Sequence, residues 1–247
     1  MSFEGKVVVI TGGTRGIGLS TAEAFLSEKA KVSICSRKQE NVDKAIHELG
    51  NPGTLFAKPA HIAQPEDVKS FVEETKERFG RIDVLCNVAG MNFFVPSTLD
   101  ADLGVWRKII DTNLNGTFVV SQAVGKIMRE QESGVIINVS SVAGSRAAMG
   151  MGIYGVAKAG IEMLTRVLAT ELASTGIRVN AVAPGMVRTD FSKPFWDDPN
   201  VGKMVTDSIP LGRIAEISEV VDAILFLVAN PYITGEVLTI DGGFSAK

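Results

Sequence analysis

Tyr154 and Lys158 stand four residues apart in a stretch of helical periodicity at 153–174, which puts a phenol and an ammonium on one face. A phenol titrates near 10, far from neutral pH, and a neighbouring ammonium favours its phenolate, so such a pair is suited to moving a proton. Ser141, thirteen residues earlier at the end of a strand-like run, adds a hydroxyl, and Asn113 adds an amide from the preceding helix. Taken singly, these residues read as a solvated lysine, an N-cap serine and a buried, satisfied asparagine. Near the start, Gly12, Gly16 and Gly18 follow the first strand and open the first helix. Glycines there allow a tight turn and the close approach of a pyrophosphate to a helix N-terminus, where free N–H groups favour anions. The spacing is Gly-x-x-x-Gly-x-Gly, and alone it can be no more than a turn.

The elements that must position these groups follow from the hydrophobic period. Short β-branched runs occur at Val7–Ile10, Val32–Cys35, Thr54–Ala57, Ile82–Cys86, Val135–Val139, Arg178–Val182 and Val237–Ile240. Helical patterns at 16–29, 39–49, 65–79, 103–130, 153–174 and 217–229 alternate with them. This alternation predicts successive βαβ units: an α/β, Rossmann-like, doubly wound parallel sheet of about seven strands, in a single domain over 1–247. Ligands of such sheets bind beyond the carboxyl ends of the strands, and the chemistry-bearing residues fall there. One irregular region, about 184–214, is rich in Pro, Asp and aromatics, with room for a short helix near Pro194 and Pro199. Its core, 186–213, is the candidate substrate loop.

The chain has 247 residues, 45% hydrophobic and 21% charged, which is ordinary globular composition. Its 25 Lys and Arg against 28 Asp and Glu give a net charge of −3, which argues against nucleic-acid or anionic-membrane partners. Cys35 and Cys86 are the only cysteines, too few for a four-cysteine zinc site, and no metal is expected. If strands two and four flank strand one, the two lie two spacings apart, about 9–10 Å, too far for a disulfide. The longest apolar run near the C-terminus, Ala223–Ala229, is too short for a bilayer, and Val7–Ile10 is no signal-peptide core. The ending Ser245-Ala246-Lys247 is not a peroxisomal signal, so a cytoplasmic location is the default expectation.

In one order, Thr11-Gly12-x-x-x-Gly16-x-Gly18, Asn87-Val88-Ala89-Gly90, Asn113, Ser141, Tyr154-x-x-x-Lys158 and Pro184-Gly185 resemble the short-chain dehydrogenase/reductase family. The likeness runs from strand one to Asp241-Gly242-Gly243. It implies that Tyr154 is the general acid when a carbonyl is reduced and the base when an alcohol is oxidised. Lys158 would hold the nicotinamide ribose, Ser141 the substrate oxygen, and Asn113 a water in a proton relay. The same likeness assigns cofactor contacts to Gly12, Thr14, Arg15, Gly16, Ile17, Gly18, Asn87, Ala89, Gly90, Pro184 and Gly185. Val187 and Thr189 would fix the carboxamide. Two positions depart from the family's pattern. Val88 replaces a second Asn, and His61 stands where an Asp usually meets adenine; His61 either contacts adenine or satisfies its loop, and the Ile62 backbone is a further adenine contact.

Strand two ends in Ser36-Arg37-Lys38, with no carboxylate for a ribose 2′-hydroxyl. Ser36, Arg37 and Arg15 make a candidate 2′-phosphate clamp, so NADP(H) is the expected cofactor. The alternative is that Arg37 and Lys38 only begin a solvated helix. Candidate substrate residues are Phe93, Phe94, Arg146, Met149, Met151, Met186, Phe191, Phe195, Trp196 and Met204, whose Met and aromatic character suits an adaptable apolar pocket. Arg146 would anchor a carboxylate or thioester phosphate, or lie on the surface. The likeness is nearest the NADP(H)-dependent carbonyl reductases, such as peroxisomal retinal/ketone reductases and tropinone reductases. The expected activity is interconversion of a ketone or aldehyde with its alcohol. A 3-oxoacyl-thioester reductase is the enzymatic alternative, weakened by Glu130-Gln131-Glu132 and Ala169-Thr170-Glu171 where basic residues would be expected. A non-catalytic cofactor-sensing protein is the other. The resemblance also implies a homotetramer, with the helices near 103–130 and 153–174 packing against partners.

Overall fold

In the computed structural model, which describes residues 2–246, one parallel sheet of seven strands runs in the order β3-β2-β1-β4-β5-β6-β7. The strands are β1 Val7–Thr11, β2 Lys31–Ser36, β3 Leu55–Pro59, β4 Val84–Asn87, β5 Gly134–Val139, β6 Ile177–Pro184 and β7 Val237–Ile240. The strand order reverses between β1 and β4, and the crevice at that reversal is where the site lies.

β1 is buried along its whole length because both faces are covered. Val8 and Ile10 point into a core shared with Phe25 of helix α1 (Gly16–Ser27) and Ile224 of helix α8 (Ile217–Ala229). Val9 points the other way, toward Phe71 of α3 (Pro65–Phe79) and Val120 of α5 (Gly116–Glu130). Burying each such side chain contributes about 1.5–3 kcal/mol. Helix α2 (Gln39–Glu48) packs beside β2 and β3, and α6 (Gly152–Leu172) beside β6.

Several boundaries differ from the periodicity reading. The stretch 103–130 is helical throughout, but α4 (Leu103–Ile110) and α5 are joined by a π-helical turn, Asp111–Asn115. Strands three and four start later than the apolar runs, and β6 extends to Pro184. The irregular region carries a ten-residue helix, α7 (Pro199–Ser208), which Pro199 opens rather than flanks. Asp198 caps it, accepting from the N–H groups of Asn200 and Val201 at 2.8 and 3.1 Å. Cys35 and Cys86 are both free and buried, on strands either side of β1, and burial pushes each thiol up to about 12. Among the described residues no helix is long and apolar enough to cross a membrane, and no side-chain cluster could hold a metal ion.

Candidate active site

A cleft of about 460 Å³ opens at the carboxyl ends of β1, β2 and β4. Its floor is the turn from β1 into α1. Gly12 and Gly16 both have positive φ, +67° and +51°, which favours glycine. A Cβ at Gly16 would meet nothing closer than Thr189 at 3.8 Å, so open cleft rather than packing surrounds it. Gly18 answers a different need: a Cβ there would come within 2.8 Å of the Gly12 carbonyl carbon, so its absence lets α1 lie against the turn. The N-terminus of α1 has no side-chain cap and no acidic residue in its first turn. Its N–H groups and dipole therefore suit a phosphate.

At one end of the cleft lie Arg15, Ser36 and Arg37, joined by Lys38, Glu40 and Asn41. Both arginines are exposed, and among the described residues neither has a side-chain hydrogen bond or ion pair. Lys38 instead pairs with Glu40 at 3.4 Å. His61 and Ile62 line the adjoining wall, and the His61 ring turns to its own loop, Nδ1 accepting from the Ala63 N–H at 3.2 Å. Asp67, which the motif reading did not single out, accepts from the His61 N–H at 2.9 Å.

At the other end stand Tyr154 and Lys158, both buried on α6. Lys158 Nζ donates to the Val139 carbonyl at 2.7 Å and lies 5.4 Å above the Tyr154 ring centroid. Gly90 makes room for Asn113, since a Cβ there would be 2.9 Å from Asn113 Oδ1. Desolvation pulls Lys158 down to about 8. Desolvation also pushes Tyr154 up to about 12, against a lowering hydrogen bond with Ser141. The ammonium does not bring the phenol toward neutrality here, because burial outweighs every other influence on it. At neutral pH Tyr154 is therefore the proton-bearing acid.

Asn113 belongs to the π-helical turn, a distortion common at functional sites. Its amide is committed to main chain: Oδ1 accepts from the Met91 N–H at 3.0 Å, and Nδ2 donates to the carbonyls of Met91 and Ile109, each at 2.8 Å. It thus fixes the loop after β4 onto α4, which leaves little of the side chain for the water expected from sequence.

The remaining candidates divide. Thr14, Ile17, Ala89, Thr189 and Phe191 line the cleft, and the Phe191 ring centroid is 6.2 Å from that of Tyr154. Asn87, Pro184, Gly185 and Val187 lie behind it. Asn87 Nδ2 donates to Ser121 and Asn138, both at 2.9 Å, joining β4 to β5 and α5. Gly185 packs on Asp241, where a Cβ would be 2.9 Å from the aspartate Cβ. Val187 is buried and bridges to Ala215. Phe93, Met149, Met186 and Trp196 are outside the cleft, and Met149 is 90% exposed. Trp196 stacks under Arg188 at 5.0 Å and donates to Ser192 at 2.9 Å. Arg146 lies on the surface, where Nη1 donates to the Phe244 carbonyl at 2.6 Å and the guanidinium covers the Phe244 ring at 5.1 Å. The sequence reading missed Thr112, Asp190 and Met91 of the cleft wall, as well as the buried Ser192 that ties Val187 and Thr189 together. Thr112 adjoins Asn113 and Met91 adjoins Gly90, so proximity to the motifs was their only signal.

The cleft, its uncapped helix end, the open space at Gly16 and the free guanidinium groups fit a nicotinamide dinucleotide. A family profile described as "Enoyl-(Acyl carrier protein) reductase" matches residues 12–245. The chain is 38% identical over 252 residues to dehydrogenase/reductase SDR family member 4 of Caenorhabditis elegans, covering 99% of this chain and 97% of that protein. It is also 38% identical over 243 residues to a 3-oxoacyl-[acyl-carrier-protein] reductase of Synechocystis sp., covering 96% of each. The crystal structure of a gluconate 5-dehydrogenase from Burkholderia cenocepacia, in complex with NADP and tartrate, superposes with a TM-score of 0.94 at 29% identity, over 100% of this chain and 97% of that one. With Tyr154 and Lys158 buried at the inner end of the cleft, and relatives matching over nearly its whole length, the chain belongs to the short-chain dehydrogenase/reductase family of oxidoreductases.

Proposed function

We propose that this protein is an NADP(H)-dependent reductase of a ketone or aldehyde, acting reversibly on the corresponding alcohol. The observation that carries the reading is a neutral, buried Tyr154 phenol, beside Ser141 and backed by Lys158, at the end of the cleft opposite Arg15 and Arg37.

A bound nicotinamide dinucleotide supplies or accepts the hydride. The α1 N-terminus and Gly16 would hold its pyrophosphate, and Ser36, Arg15 and Arg37 a 2′-phosphate, each charge-assisted hydrogen bond contributing roughly 1.5–3 kcal/mol before screening. In the reducing direction, the Ser141 hydroxyl orients the substrate oxygen and Tyr154 Oη gives it a proton. In the oxidising direction the phenolate is needed, so burial of Tyr154 predicts that oxidation strengthens as pH rises. Lys158 places its ammonium beside the Tyr154 ring and would hold the cofactor's nicotinamide ribose. Phe191 excludes water from one side of Tyr154. The tilted Tyr154–Phe191 contact favours a hydrophobic carbonyl substrate.

The relatives named as acyl-carrier-protein reductases support a second reading, reduction of a 3-oxoacyl thioester. Against it, Glu130 is exposed and paired with Lys76 at 3.1 Å, so that surface is not simply basic. A panel of aromatic and aliphatic ketones and acetoacetyl-CoA, each run with NADPH and NADH, tests both. Turnover of plain ketones with NADPH is the expected outcome. Turnover of acetoacetyl-CoA alone would favour the second reading, and no NADPH oxidation with any carbonyl would remove both.

A further inference from the structure

Tyr154 and Lys158 occupy the first two of three positions spaced by four on α6, and the third is Glu162. All three are buried, and three successive residues at the end of β5 meet them. The Ser141 hydroxyl lies near enough to the Tyr154 phenol to lower its pKa. The Val139 carbonyl takes the Lys158 ammonium at 2.7 Å. Between them Ser140, itself 2% exposed, offers its hydroxyl to Glu162 Oε1 at 3.0 Å and to the Lys158 carbonyl at 3.2 Å. A hydroxyl has one proton, and the closer, charged acceptor is the stronger partner.

Glu162 is an unusual residue to find there. It is 6% exposed, and among the described residues no ammonium or guanidinium pairs with it. Glutamate is rarely this buried without a charged partner, and an apolar residue would serve packing better. The turn that follows Ser141, Val142–Gly144, is shaped around this carboxylate. A Cβ at Gly144 would lie 2.6 Å from Glu162 Oε1 and 3.0 Å from the Lys158 carbonyl carbon. A Cβ at Gly155 would lie 2.7 Å from the Ala143 carbonyl oxygen. Glycine at both places lets the turn lie directly on α6.

We infer that Glu162 is a positioning residue: by accepting from Ser140 it fastens the end of β5 to α6 and so sets the Ser141 hydroxyl against the Tyr154 phenol. The role rests on the reductase reading only for its consequence in turnover; the geometric claim stands without it. Glu162 touches neither substrate nor cofactor. Losing its grip leaves the Ser140 proton a second acceptor in the Lys158 carbonyl, so the strand end can turn without stranding a buried donor. The fold and the dinucleotide cleft then survive while the Ser141–Tyr154 distance drifts, and a misplacement of about 1 Å can cost on the order of 10²-fold in rate.

The test uses the full chain as Ser140→Ala, Glu162→Gln and Glu162→Leu. With NADPH and a ketone that the wild type reduces, Ser140→Ala and Glu162→Leu should lose roughly 10–100-fold in kcat, with KM for NADPH within about twofold of wild type. Glu162→Gln, which keeps an oxygen acceptor, should recover most of that loss. Crystal structures of the cofactor-free wild type, Ser140→Ala and Glu162→Gln proteins give the second readout: the Ser141–Tyr154 separation should lengthen in Ser140→Ala and stay at its wild-type value in Glu162→Gln. If Glu162→Leu does not fold, Ser140→Ala and Glu162→Gln decide the matter. An unchanged Ser141–Tyr154 separation in Ser140→Ala, or a Gln variant as slow as the Ala variant, overturns the inference. A wild type inactive on every carbonyl with both cofactors removes the functional reading instead, and the crystal structures still judge Glu162.

Discussion

At the residue scale, the site is a balance of burial against contact. Lys158 is lowered to about 8 from an ordinary 10.5, and Tyr154 is raised to about 12 from 10.0. Between about pH 8 and 10.5 the unfolded chain holds a Lys158 proton that the folded chain has released, so through this residue stability rises with pH across that window. Tyr154 has the opposite slope from about pH 10 to 12, because the folded chain keeps the proton longer. Lys158→Met should therefore compare best with wild type in melting temperature near pH 7, and its relative standing should fall by pH 10 in the cofactor-free protein. An equal difference at both pH values would mean that the ammonium is not desolvated. Arg37→Ala should raise KM for NADPH roughly tenfold or more while hardly changing NADH, since an exposed charge-assisted bond keeps only part of its full value. Initial rates with each cofactor measure this, and equal effects on both would leave Arg37 a surface residue. The spacing of Tyr154 and Lys158 was legible because one helical face is a local property. The engagement of Arg146 with Phe244 and of Asn113 with Met91 was not, since each depends on chain neighbours that meet only in the folded molecule.

At the element scale, glycines mark where backbone must come close, and sequence located the important ones. Gly18→Ala should push α1 from the Gly12 turn, costing about 1–3 kcal/mol and weakening dinucleotide binding together with melting temperature. Gly16→Ala faces open cleft, so its damage should come from the positive φ and a blocked pyrophosphate, with a larger effect on binding than its effect on stability predicts. A Gly18 variant with unchanged melting temperature would contradict the packing role. The loop around α7 was the hardest part to read from sequence. Its proline at 199 opens a helix that Asp198 caps, and its hydrogen bonds converge on Ser192, whose hydroxyl reaches Val187, Thr189 and Trp196. The hydrophobic period carries no information about such side-chain-to-backbone bonds. With Phe191 beside Tyr154 and Met204 exposed, this segment is suited to close over a bound substrate. Proteolysis within 191–209 should slow when NADP and substrate are both present, and equal cleavage with and without them would argue against closure.

At the scale of the whole molecule, the number of strands and the covering of both sheet faces were readable because each βαβ unit repeats the same period, whereas the strand order was not. The π-helical turn at Asp111–Asn115 was not, because it leaves the apolar pattern of 103–130 unbroken. The outer face of α6 carries Val156, Met163 and Val167, each at least 41% exposed, with Phe118 of α5 exposed as well. These fit contacts between copies of the chain, and a homotetramer is the proposed assembly. Light scattering should give four times the 26.3 kDa chain mass, and Met163→Asp should reduce it. A monomeric wild type would contradict the proposal. The central claim, that Tyr154 hands a proton to a carbonyl oxygen at this cleft, is tested most directly by NADPH-dependent ketone reduction in wild type and Tyr154→Phe under the same conditions. The predicted result is a loss in kcat of at least roughly 10²-fold with NADPH affinity and melting temperature nearly unchanged. Near-normal reduction by the phenylalanine variant would contradict it.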